Sequence, residues 1–128
     1  KTGDDGIELT ASADEISEKI KKAVTDSGTE IKYDPENKPA ISNLLTIYHL
    51  LSGKSLDEIQ SDYSGKSYAD FKNNLTEVVI EFLKPIQQKY SEFKNNIDEV
   101  EKILTKSEEN ARILAEKTLS EVKQKMGL

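Results

Sequence analysis

Residues 67–94 read SYADFKNNLTEVVIEFLKPIQQKYSEFK, and this stretch decides the fold. Phe71, Leu75, Val78, Val79, Phe82, Ile86, Tyr90 and Phe93 recur at steps of three and four, which places them along one face of an amphipathic α-helix of about seven turns. Ser67 opens it, and no other element is read as longer. Pro85 falls inside the pattern without ending it. A proline there removes one amide donor and crowds the preceding turn, at about 3 kcal/mol unless packing compensates, so the reading is one long helix kinked near Glu81 to Pro85.

Working outward, the flanking segments carry their own start and stop signals. Ser12-Ala13-Asp14-Glu15 has the capping-box spacing, with Ile16, Ile20, Ala23 and Val24 on one stripe and an end expected between Thr25 and Gly28. From Asp26 to Pro39, Gly28, Pro35 and Pro39 break regular structure and predict a long ordered loop or a hinge. Ile41, Leu44, Leu45, Tyr48 and Leu51 mark a second helix closed by Gly53. Ser55-Leu56-Asp57-Glu58 repeats the capping box and opens a short third helix through Tyr63, closed by Gly65. Beyond the long helix, Val100, Ile103, Leu104, Ala111, Leu114, Ala115, Leu119, Val122 and Met126 predict a last helical stretch, interrupted or tightened near Lys106-Ser107 and ended by Gly127. The expected fold is an all-α bundle of about five helices whose apolar stripes bury against one another. Residues 1–11 read as a tail belonging to something upstream, with one strand-like contact at Ile7 to Leu9, and residues 12–128 as the helical domain.

Composition narrows the function. A chain of 128 residues has room for one core, which excludes a large two-domain enzyme. Cysteine is absent, so disulfides, thiolate zinc sites and cysteine nucleophiles are excluded, and the single His49 cannot build a histidine-rich metal site. With 18 basic against 24 acidic side chains, the net charge of -6 disfavours a diffuse grip on nucleic acid or anionic lipid. Any polyanion must then be met by a local patch. No apolar run reaches membrane-spanning length, and residues 1–10 lack the apolar stretch of a signal peptide, so a soluble, cytoplasmic protein without membrane partners is expected.

Catalytic constellations are wanting. The carboxylates fall on polar helix faces, and no serine or carboxylate is spaced to orient His49, which reads as a hydrogen-bonded boundary residue. Gly3 and Gly6 lack the strand, lysine and hydroxyl of a phosphate loop. The candidate binding residues are Lys66, Ser67, Tyr68 and Lys72. They set two cations, a hydroxyl and an aromatic ring at a helix N-terminus, where free amides and the helix dipole favour an anion such as a nucleic-acid phosphate. Ser67 as a plain N-cap and Tyr68 as a packed staple remain the alternative reading of the same spacing.

Read as strings, Ala23-Val24-Thr25-Asp26-Ser27, Tyr33-Asp34-Pro35, residues 38–48 (KPAISNLLTIY), Leu51-Ser52-Gly53-Lys54-Ser55, Tyr68 to Lys72, Leu83-Lys84-Pro85-Ile86 and the closing Lys125-Met126-Gly127-Leu128 resemble the C-terminal part of bacterial tryptophanyl-tRNA synthetases. The likeness runs from Ile16 to the end. It implies a class I synthetase in which a nucleotide-binding domain activates tryptophan with ATP and magnesium, while a helical domain engages the tRNA for tryptophan and its anticodon. This chain looks like the helical domain alone: noncatalytic, without a cofactor of its own, and partnered by an upstream catalytic domain in an enzyme expected to be a homodimer. The resemblance further implies that Asp26 and Ser27 lie at an interdomain hinge and that Lys1 ends a KMSKS-type loop; a C-terminal cap of the first helix and a cloning remnant are the competing readings. Ala40 and Ala69 depart from the glycines of many relatives, which puts close backbone approach there in doubt. The rival function is a stand-alone helical module that binds a partner protein through an amphipathic groove.

Overall fold

In a computed structural model that describes residues 6–127, five helices follow in order: α1 (Ala13–Lys22), α2 (Pro39–Ser52), α3 (Leu56–Asp62), α4 (Tyr68–Asn95) and α5 (Ile97–Met126). The fold is all-α. The chain divides into two compact units, one running to Gln87 and the other beginning at Gln88.

In the first unit, α1 begins with the expected capping box: the Ser12 hydroxyl accepts the Glu15 amide, and the Glu15 carboxylate accepts the Ser12 amide at 2.7 Å. Ile16 and Ile20 are buried, but the helix ends at Lys22, and Val24, expected on the same stripe, is 79% exposed. The reason is local. Ala23 leaves helical geometry at ψ 132°, so the residue after it no longer falls on the apolar face. Helix α2 carries Pro39 at its first turn, where the missing amide costs nothing, and ends at Gly53 with φ 73°. Helix α3 repeats the capping box with Ser55 and Glu58.

Helix α4 continues through Pro85 without interruption. Its apolar face resolves into two adjacent rows at four-residue steps. Phe71, Leu75, Val79 and Leu83 form the buried row, whereas Phe82 and Ile86 from the neighbouring row stay partly exposed. The buried row joins Ile16 and Ile20 of α1, Ile41, Leu45 and Tyr48 of α2, Ile59 of α3, Tyr63 and the loop residue Ile31 in one core. At its centre Tyr48 stacks on Phe71 with ring centroids 5.7 Å apart, and Tyr63 meets both edge-on. The Tyr63 hydroxyl accepts from Asn74 at 2.8 Å, and burial pushes its pKa up to about 12.

Residues 7–9 form no strand; Leu9 and Thr10 are in a turn. This segment is nonetheless fastened, because the Gln87 amide donates to the carbonyls of Leu9 at 3.0 Å and Ala11 at 2.9 Å, and Ala11 is buried.

In the second unit, Asn96 caps α5 by accepting the Glu99 amide at 3.4 Å. At 30 residues α5 is two longer than α4, and it is not interrupted near Lys106-Ser107. The Ser107 hydroxyl turns inward and donates to the Ile103 carbonyl at 2.8 Å, so the polar pair sits within a regular helix. Within the second unit α5 buries none of its own side chains. No described helix is long and apolar enough to cross a membrane.

Candidate RNA-binding edge

The turn from α3 into α4 is set by Gly65, whose φ of 76° takes the left-handed conformation that side chains resist, and it delivers Lys66 to an exposed position. The ammonium group of Lys66 lies over the Tyr63 ring, 4.9 Å from its centroid. Ser67 then caps α4. Its hydroxyl accepts the Asp70 amide at 3.1 Å and donates to the Asp70 carboxylate at 2.7 Å, and that carboxylate also accepts the Ser67 amide at 3.2 Å. These hydrogen bonds hold the Asp70 carboxyl below its usual range. The start of α4 therefore already has an anion of its own.

Tyr68 is half-buried against the core, and its hydroxyl donates to the Glu30 carbonyl at 3.1 Å. Lys38 donates to the same carbonyl at 2.9 Å. The loop between α1 and α2 is thus pinned across the start of α4, and the Tyr33 amide adds a bond to Gln60 of α3 at 2.8 Å. Between loop and turn lies a cleft of about 620 Å³ whose lining includes Lys32 and Lys66 together with Glu30 and Asp57. Lys32 was not singled out from the sequence. It stands in a segment without periodicity, and only the loop's fold brings it to Lys66.

Lys72 faces elsewhere. Its ammonium donates to the carbonyls of Ala23 at 2.6 Å and Lys21 at 3.2 Å, closing the C-terminal end of α1, where a cation also complements the helix dipole. The structure brings Lys66, Ser67 and Tyr68 to one edge and assigns Lys72 a structural contact beside it.

The two residues read as a hinge are placed differently from one another. Asp26 accepts the amides of Ala40 at 3.4 Å and Ile41 at 2.9 Å, so it caps α2 from the preceding loop. Lys38, which occupies the N-cap position itself, contributes no side-chain bond. Ser27 is exposed. Lys1 lies outside the described residues. His49 is at the C-terminal end of α2, where its Nδ1 donates to the Lys54 carbonyl, as expected of a boundary histidine. Among the described residues no group of three or more acidic or imidazole side chains is arranged to hold a metal ion.

The sequence family of class I tRNA synthetases (W and Y) matches residues 1–84, two thirds of the chain. The chain belongs to this family. Among curated relatives, the tryptophan–tRNA ligase of Bacillus anthracis is 52% identical over 113 residues, which is 88% of this chain and 34% of the relative. That of Bacillus subtilis is 43% identical over 122 residues, or 95% of this chain and 37% of the relative. The crystal structure of tryptophanyl-tRNA synthetase from Mycoplasma pneumoniae superposes with a TM-score of 0.64 at 29% identity, over 72% of this chain and 30% of that one. This synthetase-family chain thus spans about a third of the length of the relatives it matches.

Proposed function

We propose that this chain is the tRNA-engaging helical part of a tryptophan–tRNA ligase, noncatalytic by itself and belonging to an ATP-dependent enzyme that attaches tryptophan to its tRNA. The observation that carries the reading is identity of 52% to such a ligase along 88% of the chain. ATP, magnesium and a homodimeric assembly belong, in this proposal, to the whole protein. Residues 1–11 are read as the connection from the catalytic domain and residues 12–128 as the helical domain, with Asp26 and Ser27 at the pivot between them and Lys1 ending a KMSKS-type loop.

The geometry supports division of labour at the edge. Lys66, exposed and lining the same cleft as Lys32, supplies the cation for an RNA phosphate. Ser67 sets the start of α4, while Tyr68 and Lys72 hold the loop and the end of α1 that frame it. Because the net charge is -6, attraction must come from such a restricted patch.

Binding of an anticodon stem-loop of the tryptophan tRNA, followed by fluorescence anisotropy over a salt series, tests the reading. Lys66→Glu is expected to weaken binding and flatten its salt dependence, whereas Lys117→Glu, which changes the net charge equally, is expected to do little. Equal effects from the two variants would remove Lys66 from the interface.

A further inference from the structure

The cleft between the α1–α2 loop and the α3–α4 turn is lined wholly by residues of the first unit, and its charges cancel: Lys32 and Lys66 stand against Glu30 and Asp57. A cleft that took only a phosphate would carry no acid, because a carboxylate beside a phosphate repels it. The two acids are not equivalent. Glu30 faces the Lys38 ammonium across 3.5 Å, so its charge is answered. Among the described residues no ammonium stands within 4.0 Å of the Asp57 carboxylate. The Gln60 amide reaches Asp57 only at 3.5 Å, a long contact. Gln60 is committed elsewhere, accepting the Tyr33 amide at 2.8 Å and donating to the Leu56 carbonyl at 3.2 Å. Asp57 is thus a carboxylate in the cleft with acceptor capacity to spare.

Size and lining point the same way. A volume of about 620 Å³ lies within the roughly 300–1,000 Å³ of small-molecule sites and exceeds what one phosphate group fills. Ile31, itself 6% exposed, gives the cleft an apolar wall for the face of a ring. A ligand that matches all of this has an anionic group for the lysines, a flat ring, and an N–H donor for Asp57. A nucleotide of unpaired RNA has all three. Cytosine, adenine and guanine turn an exocyclic amine outward, whereas uracil flanks its one N–H with two carbonyls that a carboxylate repels.

We infer, resting on Lys66 as an RNA contact, that this cleft holds one unstacked base of the RNA and that Asp57 reads it by accepting from its exocyclic amine. Affinity at this edge then comes from the lysines and selectivity from an acid.

Anisotropy titrations of the full chain with the anticodon stem-loop test this through the sign of a charge change. Removing an acid from an RNA-binding protein of net charge -6 should tighten binding slightly, and Glu77→Ala, at an exposed position of α4, is expected to do so or to do nothing. Asp57→Ala, the same charge change at another exposed position, is expected to weaken binding about tenfold with helicity retained. In the second arm each amine-bearing base of the loop is replaced in turn by its amine-free counterpart: uridine for cytidine, inosine for guanosine, purine riboside for adenosine. One replacement is expected to cost the parent chain about tenfold and the Asp57→Ala chain almost nothing. Binding by Asp57→Ala as tight as the parent's, or a loss in that variant that is equal for every loop, overturns base reading by Asp57 while the effect of Lys66→Glu leaves the RNA-binding edge standing. If Lys66→Glu has no effect, the edge and the base site fall together.

Discussion

Asp26 shows how one side chain can determine where two elements meet. It follows α1 in the sequence, but its carboxylate oxygens take the amides of Ala40 and Ile41 in α2, whose own N-cap position offers no acceptor. Asp26→Ala strands those amides, and the expected loss is about 1–2 kcal/mol, seen in thermal melts as a midpoint lower by roughly 5–10 °C. Asn keeps an acceptor and should lose less. Lys72 is the counterpart at the other end of α1. Since its ammonium closes the Ala23 and Lys21 carbonyls, Lys72→Met is expected to lower the melting midpoint, while Lys66→Glu, which gives up only an exposed contact over the Tyr63 ring, lowers it less and acts chiefly on RNA affinity. Measuring stability and affinity on both single variants separates the two lysines that sequence spacing had grouped together.

At the scale of elements, α1, α3 and α4 start with the same device. A serine hydroxyl accepts the amide three residues on, and the carboxylate there, Glu15, Glu58 or Asp70, accepts the serine amide. Bonding from Ser12, Ser55 and Ser67 lowers the pKa of each carboxyl in the folded chain. Groups with depressed folded values stabilise the fold above their unfolded pKa, near 4, and that contribution is lost as the pH falls through the folded value. The melting midpoint is therefore expected to decline below about pH 4.5, and changing all three serines to alanine should lower the neutral-pH midpoint and make the acid decline shallower. An unchanged acid slope in that variant would mean that other carboxyls control it.

These starts were legible because a capping box spans only four residues, and helix faces were legible because periodicity is local. The α2 and α3 boundaries came from Gly53 and Ser55 for the same reason. What was illegible depends on distance along the chain: Lys72 reaches back 49 residues to Ala23, and Tyr68 reaches 38 to Glu30. The α4 pattern identified an apolar face but not which of its two rows the core would take, so Leu83 was passed over for Phe82. Lys32 reached the candidate site through loop folding, for which the sequence carries no periodic signal.

For the whole molecule, this chain matches only about a third of each relative's length, and the proposal places the activation of tryptophan in the remaining part. The isolated chain is accordingly expected to give no tryptophan-dependent exchange of pyrophosphate into ATP above a no-protein control. Stability has a different distribution. Among the described residues the buried apolar side chains all precede Gln88, so the core of the first unit is held by α1, α2, α3 and the first part of α4. Burial and conformational order, not helix content, determine the melting midpoint. A chain ending at Asn95 is therefore expected to lose roughly a third of its helical circular dichroism while its midpoint, measured at low micromolar concentration, moves by less than about 3 °C. Loss of the transition, or a midpoint lowered by far more, would show that α5 contributes to the stability of the core.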